Sequence, residues 1–417
     1  MRSWPTASVR RSGARCARCC LLAGLAFAGA AQAQDFLLHG YADARFVAAP
    51  DDASWTQGGL GKTRYGGGDA LHFGGGALSA RWQATPALVA VADVRVQPQD
   101  HARVALIEAF ARYRPVSIDA WRWSFKAGEF FPPISLENDG VGWTSLWTLT
   151  PSAINTWVGE ELRTFSGELR VEHRGEHGTL ELAGALFGAN DPAGEILFAR
   201  GWSLGDFVAG AGSRLREADV YAESLGVAPP RRYDPFLEID HRVGFYADAT
   251  WRSAQFGRFS AVYYDNRADP SAYHHFNHGD ELYAWRTHFT SLGAQTALGE
   301  VTLLGQAMAG TTEIAPPGFR GEAHFAAAYV LAGWDLGAWR PALRVDAFTT
   351  REDPAFAPAL SEHGNALTLA LNWRPLEWLR LTGEALRVDS TRDQRLALGL
   401  PAHRIDNQLQ FNARVLF

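Results

Sequence analysis

The sequence predicts an all-β fold, a transmembrane antiparallel β-barrel of about 16 strands. Three observations carry that expectation. Apolar and polar residues alternate with a period of two from end to end, short and long connections alternate along the chain, and aromatic residues gather beside the short ones.

The first segment reads as a leader and stands apart from the fold. Arg2, Arg10, Arg11, Arg15 and Arg18 make a basic front with no acid before Asp35. An apolar stretch from Cys19 to Ala31 follows, too short to span a bilayer as a helix, and then the small-x-small site Ala31-Gln32-Ala33. Residues 1–33 are therefore expected to be a cleaved signal peptide, and 34–417 the barrel. All three cysteines (Cys16, Cys19, Cys20) fall in the leader, so the remainder can form no disulfide. The formal net charge is −6, and the leader's arginines account for part of the basic total, which argues against nucleic acid as a partner.

Within 34–417 the strands can be read off by parity. Phe36, Leu38, Gly40, Ala42, Ala44 and Phe46 alternate with His39, Tyr41, Asp43 and Arg45. Phe245, Ala247, Ala249 and Trp251 alternate with Tyr246, Asp248, Thr250 and Arg252, and Leu367, Leu369, Leu371 and Trp373 with Thr368, Ala370 and Asn372. One apolar and one polar face per strand fits a barrel, but it also fits a soluble sandwich. The connections decide. Short turns fall near Thr85-Pro86, Arg114-Pro115-Val116, Gly175 to His177, Ser253 to Gly257, Leu298 to Glu300, Gly337 to Pro341 and Arg374-Pro375. Between them lie the loops 49–69, 98–103, 129–160, 189–241, 266–280, 312–323, 351–364 and 389–403, mostly longer. A membrane barrel keeps this parity, with short periplasmic turns and long external loops, and a sandwich has no reason to. Trp82, Tyr113, Trp121, Trp251, Trp339 and Trp373 share the apolar parity close to short turns, as an interfacial aromatic girdle requires.

The chain closes on Phe417, with Val415, Ala413, Phe411 and Leu409 on its face. This resembles the carboxy-terminal signature of Gram-negative outer-membrane proteins. The resemblance implies that Phe417, Val415 and Phe411 form an assembly signal for the barrel assembly machinery, and that the location is the outer membrane, among its lipid and lipopolysaccharide.

The connection 129–160 is long, aromatic and acidic, carrying Trp143, Trp147, Trp157, Glu137, Asp139 and Glu160, with Glu161 just beyond it. Such a loop is expected to fold into the lumen, since an apolar surface this large would be a liability in water. A third loop folded inward resembles that of general bacterial porins. Locally, Lys126-Ala-Gly-Glu-Phe-Phe-Pro-Pro-Ile-Ser-Leu-Glu137 resembles the strand-to-loop passage of the phosphate-selective porin O and P family. The loop's Glu137, Asp139, Glu160 and Glu161, with no lysine or arginine, depart from phosphate specificity. The resemblance implies a channel for passive diffusion of small hydrophilic solutes, and it allows a homotrimer.

Candidate pore residues follow from parity. Glu137, Asp139, Glu160 and Glu161 are expected to face Arg45, Arg95, Arg122 and Lys126 across a constriction, with Glu137 and Asp139 opposed by Arg45 and Arg95, setting up a transverse field. Arg81, Arg112, Arg252, Arg258, Arg286, Arg344 and Arg380 are expected along the lumen wall. These charges could equally pair into a solvated lining.

Tyr273-His-His-Phe-Asn-His278 offers imidazoles, but no metal framework surrounds it, and no metal or cofactor is assigned. Gly66-Gly-Gly68 and Gly74-Gly-Gly76 lack the lysine-serine or lysine-threonine ending of a phosphate loop. Other readings stay open: a channel specific for an anion, sugar or polymer, a barrel enzyme, or a plugged structural or adhesive barrel. No Gly-x-Ser-x-Gly elbow supports catalysis.

Overall fold

A computed structural model describes residues 35–219, 229–277, 279–352 and 360–417. The expected signal peptide 1–33, its three cysteines and His278 lie outside these residues, as do parts of the loops 189–241 and 351–364. Among the described residues, sixteen strands close into one antiparallel barrel. They are β1 (Phe36–Ala48), β2 (Ala70–Thr85), β3 (Leu88–Val96), β4 (Val104–Tyr113), β5 (Trp121–Phe130), β6 (Thr164–Gly175), β7 (Gly178–Gly188) and β8 (Gly244–Ser253). The second half is β9 (Gly257–Asp265), β10 (Arg286–Leu298), β11 (Val301–Ile314), β12 (Gly321–Trp334), β13 (Trp339–Glu352), β14 (Glu362–Leu376), β15 (Leu379–Arg392) and β16 (His403–Leu416). No described helix is long and apolar enough to cross a membrane.

Every strand pairs with its sequence neighbours, and β1 pairs with β16 from Tyr41↔Leu416 to Ala48↔Leu409. Closure matters because an unpaired sheet edge in lipid would strand a row of amides. The seam is finished by Phe417, whose amide donates to the Gly40 carbonyl at 3.0 Å while the Gly40 amide donates to the Phe417 carbonyl at 2.7 Å. The rings of Phe411 and Phe417 and the side chain of Val415 lie exposed on the outer face.

Turn lengths follow the expected parity. The β6–β7 and β10–β11 turns are two residues each, whereas loop 3, the connection from β5 to β6, runs over 131–163 and loop 4, from β7 to β8, over 189–243. The aromatic girdle is present beside the short turns. Trp339 and Trp373 are cross-strand partners on β13 and β14 and stack with ring centroids 5.2 Å apart.

The inner face differs from a simple polar lining. Tyr246, Tyr264, Phe289, Met308, Phe325, Leu331 and Phe348 all point inward and are buried. They join loop 3 residues Ile134, Leu136, Trp147, Ile154 and Trp157 in one apolar cluster inside the barrel. Parity alone could not separate such a core-like wall from a solvated one, because the lining residues are covered by a loop remote in sequence. Gly333 on β12 shows the fit: a Cβ there would lie 2.3 Å from the Trp147 ring.

Candidate functional site: a sealed seam and a cationic vestibule

Loop 3 is fastened to the wall of β11 and β13–β16 by polar groups. Its helix α1 (Ala153–Glu161) begins at Ser152, whose hydroxyl accepts from the Asn155 amide at 3.3 Å. Two carboxylates sit at that N-terminus, where the exposed amides and helix dipole favour negative charge. Asp346 accepts from the Ala153 amide at 3.1 Å, and Glu137 accepts from the Ser152 amide at 3.0 Å. Arg344 ties them together. Its guanidinium contacts Glu137 at 2.7 Å and Asp346 at 2.8 Å, and it donates to the carbonyls of Thr150 and Pro151 and to the Thr368 hydroxyl. Glu384 on β15 accepts from the amides of Leu149 at 2.6 Å and Thr150 at 3.1 Å, and Asn372 on β14 donates to the Trp147 carbonyl at 2.7 Å. All the charged members are buried, one cation among three carboxylates, and none of their side-chain polar atoms lacks a hydrogen-bond partner.

Loop 4 adds a second layer from the external side. Asp206 receives both Arg45 at 2.9 Å and Arg64 at 2.8 Å. Lys62 of the first loop pairs with Glu362 and donates to the Trp202 carbonyl at 2.9 Å. Glu160 pairs with Arg200. Glu161 accepts from the Tyr233 hydroxyl and the Trp157 indole, both at 2.6 Å, and from the Gly194 and Ile196 amides. Burial pushes the Glu160 carboxyl up to about 7, with Arg200 pulling it down and Glu161 pushing it further up. Burial likewise pushes Glu217 up to about 8, again with Glu161 beside it.

The expected constriction pairs are therefore redistributed. Glu137 meets Arg344, not Arg45 or Arg95. Arg45 is taken by Asp43 and Asp206, and Arg95 donates to the Gly142 carbonyl of loop 3 at 3.2 Å. Glu160 and Glu161 are fully buried between loops 3 and 4 and line no open passage. Asp139 is exposed, in the field of Arg258 and Arg252. Arg286 does not face the lumen: Thr287, Phe289 and Ser291 take the inward positions of β10, and Arg286 lies outside, 3.9 Å from Asp265. Its strand carries polar residues outward at the external end, so polarity there no longer marks the inner face. Arg380 lies inward beside Arg340, Arg374 and Arg414 around a hollow of about 210 Å3. Arg81 has inward parity at the periplasmic end.

The remaining wall arginines converge. Arg112, Arg122 and Lys126 on β4–β5, Arg170 on β6, and Arg252 and Arg258 on β8–β9 surround a cavity of about 350 Å3 on the short-turn side of loop 3. Acids of β6 and β7 share it, and Asp248 of β8 reaches one of its cations. Arg170 contacts Asp248 at 2.9 Å, Glu181 at 3.1 Å and Glu168 at 3.3 Å, and Arg252 contacts Glu181 at 2.8 Å. Parity already put Asp346, Glu384 and Asn372 on the polar, inward side of their strands; Asp206, Glu362 and Glu181 are the functional residues that it did not single out. Inward parity was the available signal for those on strands.

Asp191, Glu238 and Asp240 also come together, with ligand atoms within 4.8 Å of one another. Their oxygens cap loop amides, Asp191 those of Ile239 and Asp240, and Glu238 those of Ala189 and His241.

Comparison with solved structures places this geometry. The outer membrane channel DcaP of Acinetobacter baumannii superposes with a TM-score of 0.56 at 11% identity, over 92% of this chain and 97% of that one. The trimer form of in-vitro folded OmpT, an outer membrane protein of Vibrio cholerae, gives 0.52 at 8% identity, over 93% and 100%. OmpF of Salmonella typhi, in complex with daunomycin, gives 0.50 at 11%, over 92% and 97%. The chain has the fold of these outer-membrane barrels. No protein-family model matches the sequence, and no curated protein does.

Proposed function

We propose that this barrel is an outer-membrane porin-type channel for passive diffusion of small hydrophilic solutes. The observation that carries the reading is the solvated, charged vestibule on the short-turn side of loop 3, inside a closed barrel of sixteen strands. A barrel of that size has room for an aqueous path, and a structural barrel would have no use for an excess of inward cations. The fold shared with DcaP, a channel, supports the same reading, and the trimer form recorded for the Vibrio protein supports testing for a homotrimer. The likeness of residues 126–137 to the phosphate-selective family supports porin ancestry without assigning phosphate. The lack of a nucleophile elbow supports a non-enzymatic role.

One observation favours a second reading, a plugged barrel: loops 3 and 4 are buried inside the wall through Arg344, Glu384, Asp206 and Lys62. Planar-bilayer recording of the purified protein separates the two. Stepwise ohmic insertions support the channel, and a bilayer that stays sealed while folded protein inserts contradicts it.

A further inference from the structure

We infer that the outer face of β10–β14 is a binding site for one lipid of the outer leaflet, a phosphorylated, multi-acylated glycolipid of the lipid A type. The argument begins with strand register. On β11, β12 and β13 the outward residues Ala307, Ala328 and Ala347 lie directly opposite one another in turn. One row toward the external end, Ala309 faces Ala326, and Ala326 faces Thr349. Nearer the middle of the wall Val330 faces Val345, and both of these bulkier side chains stand exposed. Two rows of small side chains beside bulkier ones leave a trough, flanked by Leu292 on β10 and by His363 and Asn365 on β14.

The mouth of the trough is cationic. The next outward row toward the long loops places Thr311 of β11 opposite His324 of β12, and His324 opposite Arg351 of β13. His324 is held between the Thr311 hydroxyl at 3.2 Å and Glu322 at 3.5 Å. Glu313, the other outward acid of β11 and β12, is taken by Arg320 at 2.8 Å. Arg351 and His363 are exposed, and among the described residues neither has a carboxylate within ion-pair distance. An arginine on the lipid face costs about 2–4 kcal/mol at the bilayer midplane and about 0–1 kcal/mol near an interface, so this row marks the headgroup level of the outer leaflet. The trough therefore opens at the phosphates and runs into the hydrocarbon.

Size and setting select the occupant. A volume of about 630 Å3 holds roughly twenty water-sized groups at about 30 Å3 each, and a methylene is of that size, so the trough takes one long acyl chain. Lipid tails are as apolar as the wall, so transfer from bulk lipid gains nothing by itself. What favours a chain here is contact, because an unfilled hollow forfeits dispersion along its whole lining. Choice among lipids falls to the headgroup. The planar fork of Arg351 matches two oxygens of a phosphate, and His363 stands on the neighbouring strand, opposite Thr349. A second barrel fits less well, because two convex walls meet along a line and leave a hollow between them empty. The inference goes beyond the channel reading and needs only the outer wall.

Native mass spectrometry of the folded protein in detergent tests this, with lipid A and phosphatidylethanolamine as probes. One lipid A is expected to stay bound per chain. Phosphatidylethanolamine, whose headgroup has no net charge, should bind about tenfold more weakly or less. Ala328→Leu/Ala347→Leu fills the trough with side chains that a lipid-facing wall tolerates, and should abolish the bound lipid A. Arg351→Gln should weaken binding about tenfold, the scale of losing one charge-assisted bond. This variant decides the matter if the double leucine variant fails to fold. Bilayer conductance should match the parent in both variants, which keeps the fate of this site separate from that of the channel. Parental affinity for lipid A in either variant, or equal affinity for the two lipids, overturns the site. A changed oligomeric state in the double leucine variant with lipid A still bound also overturns it, and would give the trough to a second copy of the chain.

Discussion

The inner wall handles charge in two opposite ways. On β13–β15, Arg344 is dry and answered by Glu137, Asp346 and three oxygen acceptors, so its charge fastens loop 3 to the barrel. On β4–β9, Arg112, Arg122 and Arg258 face a cavity with no carboxylate of their own. The same residue type is structural where partners answer its charge and bonds, and available to solutes where they do not. A buried, matched pair gains little net energy over an apolar one, but losing one member is costly. An exposed, unmatched cation gives the wall a field instead.

The seam offers the largest test of this contrast. Arg344→Met leaves Glu137 and Asp346 buried without their cation, a change that costs about 3–5 kcal/mol in comparable sites. The temperature at which the folded, heat-modifiable band is lost on unboiled gels should fall markedly. Adding Glu137→Gln should recover part of the loss. An unchanged transition in Arg344→Met would mean that the seam does not hold loop 3.

A smaller effect should appear in loop 4. Glu160 and Glu217 have folded-state values raised to about 7 and about 8, chiefly by burial, so the folded state favours their protonated forms. Their contribution is complete below the ordinary carboxylate range and is lost as pH rises through about 7 to 8. Glu160 faces Arg200 and Glu161, while Glu217 faces Glu195, Glu161 and Arg200. Hydrogen exchange across residues 193–219, corrected for intrinsic rates, should show less protection at alkaline than at mildly acidic pH. Greater protection at alkaline pH would reverse the sign and refute the assignment.

Sequence legibility divides along the same line. The strands, the turn parity and the β1–β16 closure were readable because alternation and turn length are local properties of the chain. The girdle was readable because Trp339 and Trp373 carry their parity next to a turn. Arg286 was misplaced because its strand carries Arg286, His288 and Thr290 outward at its external end, where polarity ceases to mark the lumen. The seam was hidden for a different reason: Glu137 and Arg344 are separated by 207 residues, and no local pattern announces their pairing. The inward Phe289 and Phe348 are apolar because loop 3 covers them, a contact that no local pattern shows. Of the vestibule cations, by contrast, Arg112, Arg122, Lys126, Arg252 and Arg258 were visible as inward residues, and only the lack of a carboxylate partner at Arg112, Arg122 and Arg258 needed the fold.

The vestibule, and not the loop 3 seam, is expected to set which ions pass. The most direct measurement is the zero-current reversal potential in a potassium chloride gradient, for the parent, for Arg112→Gln/Arg258→Gln and for Glu137→Gln. An anion-preferring potential is expected in the parent. It should shift toward cations in the double arginine variant and stay at the parental value in Glu137→Gln, whose partner Arg344 keeps Asp346. A potential that moves with Glu137 and ignores Arg112 and Arg258 would contradict the account.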